Sequence, residues 1–306
     1  MPDLDLTINI SDLKVKNPFF LASGILGTSI KLLRRVYEAG AGALVTKSIG
    51  RKERNGYNNP TIVESCGGYI NAVGLSNPGI DEFYKELLQS NLESLPLIVS
   101  LFGAEPSEFS DMIKLLNNLD VKAYELNLSC PHAKGLGLEV CQDLELVKKI
   151  IRTVKRESTK PVFVKLSPMV TDIVNTSIVA EESGADALTI ANTFKAMAID
   201  IDTGRPILAN KIGGLSGPAI KPIAIRCVYE IYEKVKIPII GCGGAVNWQD
   251  IVEFFLAGAS AIQIGTAIAY EGFNVFKNIE NGIRNYMDLK GIRSLRDFVG
   301  KAHSFR

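Results

Sequence analysis

At 306 residues, with 46% hydrophobic and 22% charged side chains, the chain can form two ordinary domains or one large α/β barrel around a sizeable core. A formal charge of +1 excludes a general nucleic-acid or membrane-surface role, so anionic ligands must be held by local lysines and backbone N–H groups. The five cysteines (Cys66, Cys130, Cys141, Cys227 and Cys242) are odd in number and form no C-x-x-C pair, which argues against a zinc site, an iron–sulfur site or a disulfide framework. No apolar run approaches membrane-spanning length, and the start MPDLDLTINI lacks the basic-then-apolar order of a secretory leader. The expectation is a soluble protein of the reducing cytoplasm.

In chain order, LTINI and LKVKN, joined at Ser11-Asp12, predict a small N-terminal hairpin. Short apolar segments then alternate with amphipathic ones. The strand candidates are FFLASG (19–24), ALVTKSI (43–49), LIVSLFG (97–103) and AYELNLS (123–129). They continue with VFVKLSP (162–168), ALTIAN (187–192), IPIIGCGG (237–244) and AIQIGTA (261–267). Helical patterns lie between them, among them SIKLLRRVYEAG, PSEFSDMIKLLNNL, CQDLELVKKIIRTVKRE, TDIVNTSIVAEESG and NWQDIVEFFLAG. EAGAGALV, ESGADALT and LAGASAIQ each read as a helix end, a tight Gly turn and the start of a buried strand. Eight such strands with helical crossovers predict a (β/α)8 TIM barrel spanning 1–306 as a single domain, in preference to an open doubly wound sheet. Two connections are too long for simple turns, Arg51 to about Ile80 after the second strand and Thr193 to about Pro218 after the sixth.

Barrel active sites gather at the C-terminal ends of the strands. There the sequence places Ser23, Lys47, Ser48, Ser100, Asn127, Cys130, Lys165 and Asn192. A single rim lysine is easily a snorkelling accident, but two lysines with two asparagines between them are a set. Gly243-Gly244 and Gly265-Thr266 follow the seventh and eighth strands, the usual phosphate position in this fold, and GGLSG (213–217) is a candidate cover. In the second loop, INAVGLSNPG offers the Asn71 amide and successive N–H groups from Ala72, Val73, Gly74 and Leu75, suited to a small carboxylate. Taken alone, Cys130 is core filling, a metal ligand, a nucleophile or a base.

Together these segments, with ELNLSCPH, the IANT stretch and GGLSGPAIKPIAIR, resemble dihydroorotate dehydrogenase of class 1 over nearly the whole chain. The resemblance implies a barrel that binds one FMN and oxidises (S)-dihydroorotate to orotate in pyrimidine biosynthesis. It implies that Lys47, Asn71, Asn127, Asn192, Thr193 and the backbone of Ala72, Val73, Gly74 and Leu75 hold the substrate. It also implies that Ser23, Lys47, Ser48, Ser100, Asn127, Lys165, Ala191, Gly217, Gly243, Gly244, Gly265 and Thr266 line FMN, the phosphate resting on the last four. Cys130 would be the base that removes the proton from C5, where the membrane-bound class has serine. Two positions depart from the family pattern: His132 stands where asparagine often follows Cys-Pro, and Ser100 where an asparagine often meets the flavin.

INAVGLSNPG and GGLSGPAIKPIAIR look most like the NAD-linked type. That type pairs with an iron–sulfur flavoprotein carrying FAD and a [2Fe–2S] cluster, in a heterotetramer of two catalytic and two electron-transfer chains. The alternatives are the fumarate-using homodimer, a non-catalytic flavin- or phosphate-binding barrel, and a lyase or isomerase without flavin.

Overall fold

The structure is a computed structural model that describes residues 4–27, 29–130 and 137–304. Eight parallel strands close into a barrel in chain order: Phe19–Leu21, Ala43–Val45, Leu97–Leu101, Ala123–Asn127, Val162–Lys165, Ala187–Ile190, Ile239–Cys242 and Ala261–Ile264. We refer to them as the first to eighth barrel strands. Each is shorter than its apolar run in the sequence. Residues beyond the ladders continue into the mouth: Ala22 still donates to the Ile264 carbonyl at 2.9 Å, and Ile49 keeps a parallel bridge to Leu101.

Alternation along the strands builds two separate cores. Outward residues such as Leu44, Val99, Leu126, Val164, Leu188 and Ile262 pack under the helices in one large cluster. Inward residues form a second cluster in which odd strands supply bulk, Phe20, Ile98, Phe163 and Ile240, and even strands supply Ala43, Ala123, Ala187 and Ala261. Large and small side chains from alternate strands therefore fill the lower barrel in layers. The predicted hairpin, Ile8–Ile10 with Leu13–Val15, closes this end, since Ile10, Leu13 and Val15 belong to the same inner cluster.

One helix differs from its predicted span. CQDLELVKKIIRTVKRE is interrupted at Asp143, which ends Leu138–Gln142 and caps Leu144–Glu157 by accepting from the Leu146 N–H at 3.0 Å. A helix N-cap of this kind contributes about 1 kcal/mol, so the sequence carried its own stop.

The two long connections are not independent loops. They join in a four-stranded antiparallel sheet with Phe194–Ala196 next to Gly213–Ser216, then Gly68–Asn71, then Ile62–Ser65. A second small hairpin pairs Ile199–Asp200 with Arg205–Pro206. The pairing of GGLS with GYIN brings two backbones so close that a Cβ on Gly68 would lie 1.8 Å from the Ser216 carbonyl oxygen. GGLSG is thus a sheet strand and its exit rather than a free flap. Period-two alternation is weak in such glycine-rich segments, so nothing in the local pattern announced the pairing.

Candidate active site

The mouth of the barrel holds a cavity of about 400 Å³, within the ordinary range for small-molecule sites. Its wall draws on the rims of seven strands and on both long connections. Ser23, Lys47, Ser48, Asn127, Cys130, Lys165, Ala191, Asn192 and Thr193 line it together with Asn71, Val73, Leu75, Gly217, Gly243, Gly244, Gly265 and Thr266. Three of the expected residues do not reach the wall. Ser100 is fully buried behind Ser48, their hydroxyls 2.9 Å apart. Ala72 packs with Ile70 and Leu208, and its N–H donates to the Thr61 carbonyl at 2.7 Å, so it is not free for a carboxylate. Gly74 sits over Tyr57.

A chain of side-chain hydrogen bonds runs beneath one wall. The Asn127 amide donates to Ser48 Oγ at 2.9 Å, and Asn127 Oδ1 accepts from Ser129 Oγ at 2.8 Å. Ser129 Oγ in turn accepts from Asn192 Nδ2 at 2.8 Å, while Asn192 Oδ1 accepts from the Thr193 N–H. Asn71 donates across the small sheet to the Gly214 carbonyl at 3.2 Å. Next to this network, Cys130 is 5% exposed and packs against Leu75 and Phe102. The apolar part of INAVGLSNPG is therefore packing: Leu75 covers the cysteine. His132 lies outside the described residues.

Two lysines give the cavity its charge. Burial pushes the Lys47 ammonium below its ordinary value, partly offset by attraction to Cys130. That attraction is mutual, so a charged Lys47 favours a thiolate at Cys130. Lys47 makes no side-chain hydrogen bond or ion pair among the described residues, which leaves its ammonium available to a ligand. Lys165 is 4% exposed and donates to Gln263 Oε1 at 3.0 Å and Ser23 Oγ at 3.4 Å. Burial pushes it down, but Cys242 and Glu125 carry it above its ordinary value.

At the opposite end the cavity is lined by backbone. Gly244 takes φ 82°, and a Cβ there would lie 2.7 Å from the Lys221 nitrogen and 2.8 Å from the Gly217 carbonyl. The connections after the sixth and seventh strands thus converge where only glycine fits, and a wall of main chain is what an anionic oxygen cluster needs.

Sequence reasoning passed over Ser129, Gln263, Cys242 and Glu125. Ser129 ties two amides together, and Gln263 and Cys242 line the cavity. Glu125 lies below it, fully buried. A period-two signal was available for three of them: Glu125 stands two residues before Asn127, Cys242 two after Ile240 and Gln263 two after Ala261, all on inward positions.

Comparison with known proteins decides the family. The dihydroorotate dehydrogenase family model matches residues 5–287. The chain belongs to the dihydroorotate dehydrogenase family. Among curated relatives it is 50% identical over 297 residues to "Dihydroorotate dehydrogenase B (NAD(+)), catalytic subunit" of Pyrococcus horikoshii, covering 97% of each chain. It is 50% identical to the protein of the same name from Methanocella arvoryzae, covering 98% of each. Among solved structures, a dihydroorotate dehydrogenase from Eimeria tenella in complex with ferulenol superposes with a TM-score of 0.85 at 24% identity. That alignment covers 98% of this chain and 89% of the other, and it supports the dihydroorotate dehydrogenase barrel as the fold. Among the described residues no helix is long and apolar enough to cross a membrane.

Proposed function

We propose that this chain is the catalytic subunit of an NAD-linked dihydroorotate dehydrogenase, a single cytoplasmic FMN-binding barrel domain that oxidises (S)-dihydroorotate to orotate in pyrimidine biosynthesis. The observation that carries this reading is the position of Cys130, a buried thiol on the wall of a cavity that also holds Lys47, Lys165, Asn127 and Asn192.

The residues present fit FMN. The glycine wall formed by Gly217, Gly243, Gly244, Gly265 and Thr266 suits its phosphate, and Lys165, Ser23, Ser48 and Asn127 suit the polar edge of its ring system. When bound, FMN supplies the acceptor for the hydride that leaves C6 of the substrate. Lys47, Asn71, Asn127, Asn192 and Thr193, with backbone from Val73 to Leu75, orient the substrate and neutralise its carboxylate. Cys130 takes the proton from C5, and the electron pair left behind closes the C5=C6 double bond as the hydride departs. A free thiol titrates at about 8.5, so a neighbouring cation is needed to supply thiolate at neutral pH. Lys47 has that coupling. Leu75 and Phe102 keep water from the thiol.

The names of the relatives, each a catalytic subunit linked to NAD(+), support a separate electron-transfer partner over a fumarate-using homodimer. We take that partner to be an iron–sulfur flavoprotein with FAD and a [2Fe–2S] cluster, two copies of each chain per complex. The reading is tested by purifying the chain, releasing its cofactor by denaturation and mixing the holoprotein anaerobically with dihydroorotate. Stoichiometric FMN that bleaches on mixing supports it. A protein that neither carries nor takes up FMN ends it.

A further inference from the structure

Below the cavity floor the barrel interior does not return to apolar packing at once. One inward position above the alanine and phenylalanine layers, the even strands carry Val45, Glu125, Thr189 and Gln263, and three of these four are polar. Glu125 and Thr189 are fully buried and Gln263 is 2% exposed. A carboxylate in such a place is costly unless it is hydrogen-bonded and faces a cation. Glu125 Oε2 accepts from Thr189 Oγ1 at 2.9 Å and from Gln263 Nε2. Its Oε1 is buried with no hydrogen-bond partner among the described residues.

The cation stands on the other side of Gln263. The glutamine Oε1 accepts from Lys165 Nζ at 3.0 Å while its Nε2 donates to Glu125. That amide orientation is the only one compatible with both neighbours, because an ammonium can only donate and a carboxylate can only accept. The amide dipole thus lies between a positive and a negative end, and it couples two charges that do not touch. The titratable groups facing Lys165 are Glu125 from the fourth strand and Cys242 from the seventh; Ser23 and Gln263 are neutral. Burial pushes the Cys242 thiol up, partly offset by Lys165, whereas the Glu125 carboxylate is tied to the lysine through the Gln263 amide.

We propose that Glu125 is a positioning residue, whose buried carboxylate acts through Gln263 to hold Lys165 as a fixed ammonium at the floor of the cavity. This rests on the flavin reading for its use: a cation at that spot stabilises negative charge arriving on a bound flavin, and a neutral amine there does not. It does not rest on that reading for its existence, because the coupling lies within this chain.

The experiment separates the two. Lysine labelled with ¹³C at Cε is incorporated into the chain without flavin, and the Lys165 resonance is assigned by its loss in Lys165→Met. In the wild type the Lys165 signal should not titrate below the ordinary lysine range. In Glu125→Gln its midpoint should fall by about two pH units or more, the direction of a buried amine without an anion. Gln263→Met, which cuts the relay but keeps the carboxylate, should move it the same way and serves where Glu125→Gln does not fold. With FMN loaded, the midpoint potential of Glu125→Gln should show a pH-dependent break absent from the wild type and abolished by adding Lys165→Met. An unmoved Lys165 resonance in both variants overturns the proposal, and so does an equal displacement by Cys242→Ala, which would give the role to the thiol. If Lys165 shifts as expected but no FMN binds, the relay stands and the flavin reading falls.

Discussion

Ser129 Oγ accepts a hydrogen bond from Asn192 Nδ2 at 2.8 Å, which locks the amide of the sixth strand's exit to the end of the fourth. The same hydroxyl donates to Asn127 Oδ1 at 2.8 Å, so one buried atom fixes the orientation of two amides proposed to read the substrate. Ser129→Ala removes both constraints without adding bulk. The expected outcome is orotate binding weakened about tenfold, one lost buried hydrogen bond being worth about 1–1.5 kcal/mol, with FMN content unchanged. Titration of flavin absorbance with orotate checks this. An unchanged affinity would show that the amides hold their orientation without Ser129.

Cys130 is proposed as the base, so Cys130→Ala should reduce bound flavin with dihydroorotate about 10²–10⁴-fold more slowly while retaining FMN. Cys130→Ser should recover part of the rate as pH rises, because a hydroxyl releases its proton less readily than a thiol. Stopped-flow bleaching under anaerobic conditions measures both. A wild-type rate in Cys130→Ala would remove the cysteine from the chemistry.

Lys47 links binding to pH. Burial holds its ammonium below the ordinary lysine value, so protonation is less favourable in the fold than in the unfolded chain, which holds the proton more tightly. The resulting cost to stability is fully present below the folded value and is relieved as pH rises through it toward the ordinary one. Function runs the other way, because an anionic substrate needs the charge. Orotate affinity should therefore decline at lower pH than an ordinary lysine would dictate. Lys47→Met should abolish that decline and weaken orotate binding more than FMN binding, while melting at the same temperature as wild type or higher. Equal loss of both ligands would make Lys47 mainly a flavin or structural residue.

The barrel was legible in the sequence because each strand is a short buried run followed by a rim residue that departs from it, as in Lys47 after ALVT and Lys165 after VFV. The site was legible for the same reason: Asn127, Cys130, Asn192 and the glycine pairs all sit one turn of chain past an apolar segment. Two things were not. The long connections pair with each other across 143 residues of sequence, Asn71 with Gly214, and no local pattern reports such a partner. Glu125 was read as part of a buried strand, yet its carboxylate matters only when Gln263 and Lys165 are brought beside it.

Gly244 offers a test of the backbone wall. With φ 82° and a Cβ position within 2.8 Å of main-chain atoms from Gly217 and Lys221, an alanine there must displace one of the converging turns. Gly244→Ala should lower the stability of the protein by about 1–3 kcal/mol and loosen FMN severalfold, with the Lys47 and Cys130 end of the cavity intact. Flavin release followed by ultrafiltration, beside a denaturant melt of the flavin-free chain, separates the two effects. Full flavin retention at reduced stability would place the phosphate elsewhere.

The last prediction concerns where the electrons go. No cysteine spacing in this chain suits an iron–sulfur cluster, and no G-x-G-x-x-G strand–turn–helix unit offers a dinucleotide site. The proposed flavin lies in the cavity at the mouth of the barrel, which Ile25, Ile62 and Thr266 help to line. Ile62 is 58% exposed and Ile25 37%, so the rim presents apolar side chains beside the cofactor edge, and electron transfer demands a short separation at that edge. The isolated chain should turn over dihydroorotate with artificial dyes but not with NAD, and adding the electron-transfer partner should restore NAD reduction. Replacing Ile25 and Ile62 by Asp should leave dye reduction within about twofold and weaken the partner-dependent rate, as surface substitutions usually leave the fold unaffected. Efficient turnover by the lone chain with fumarate would move the protein to the homodimeric type.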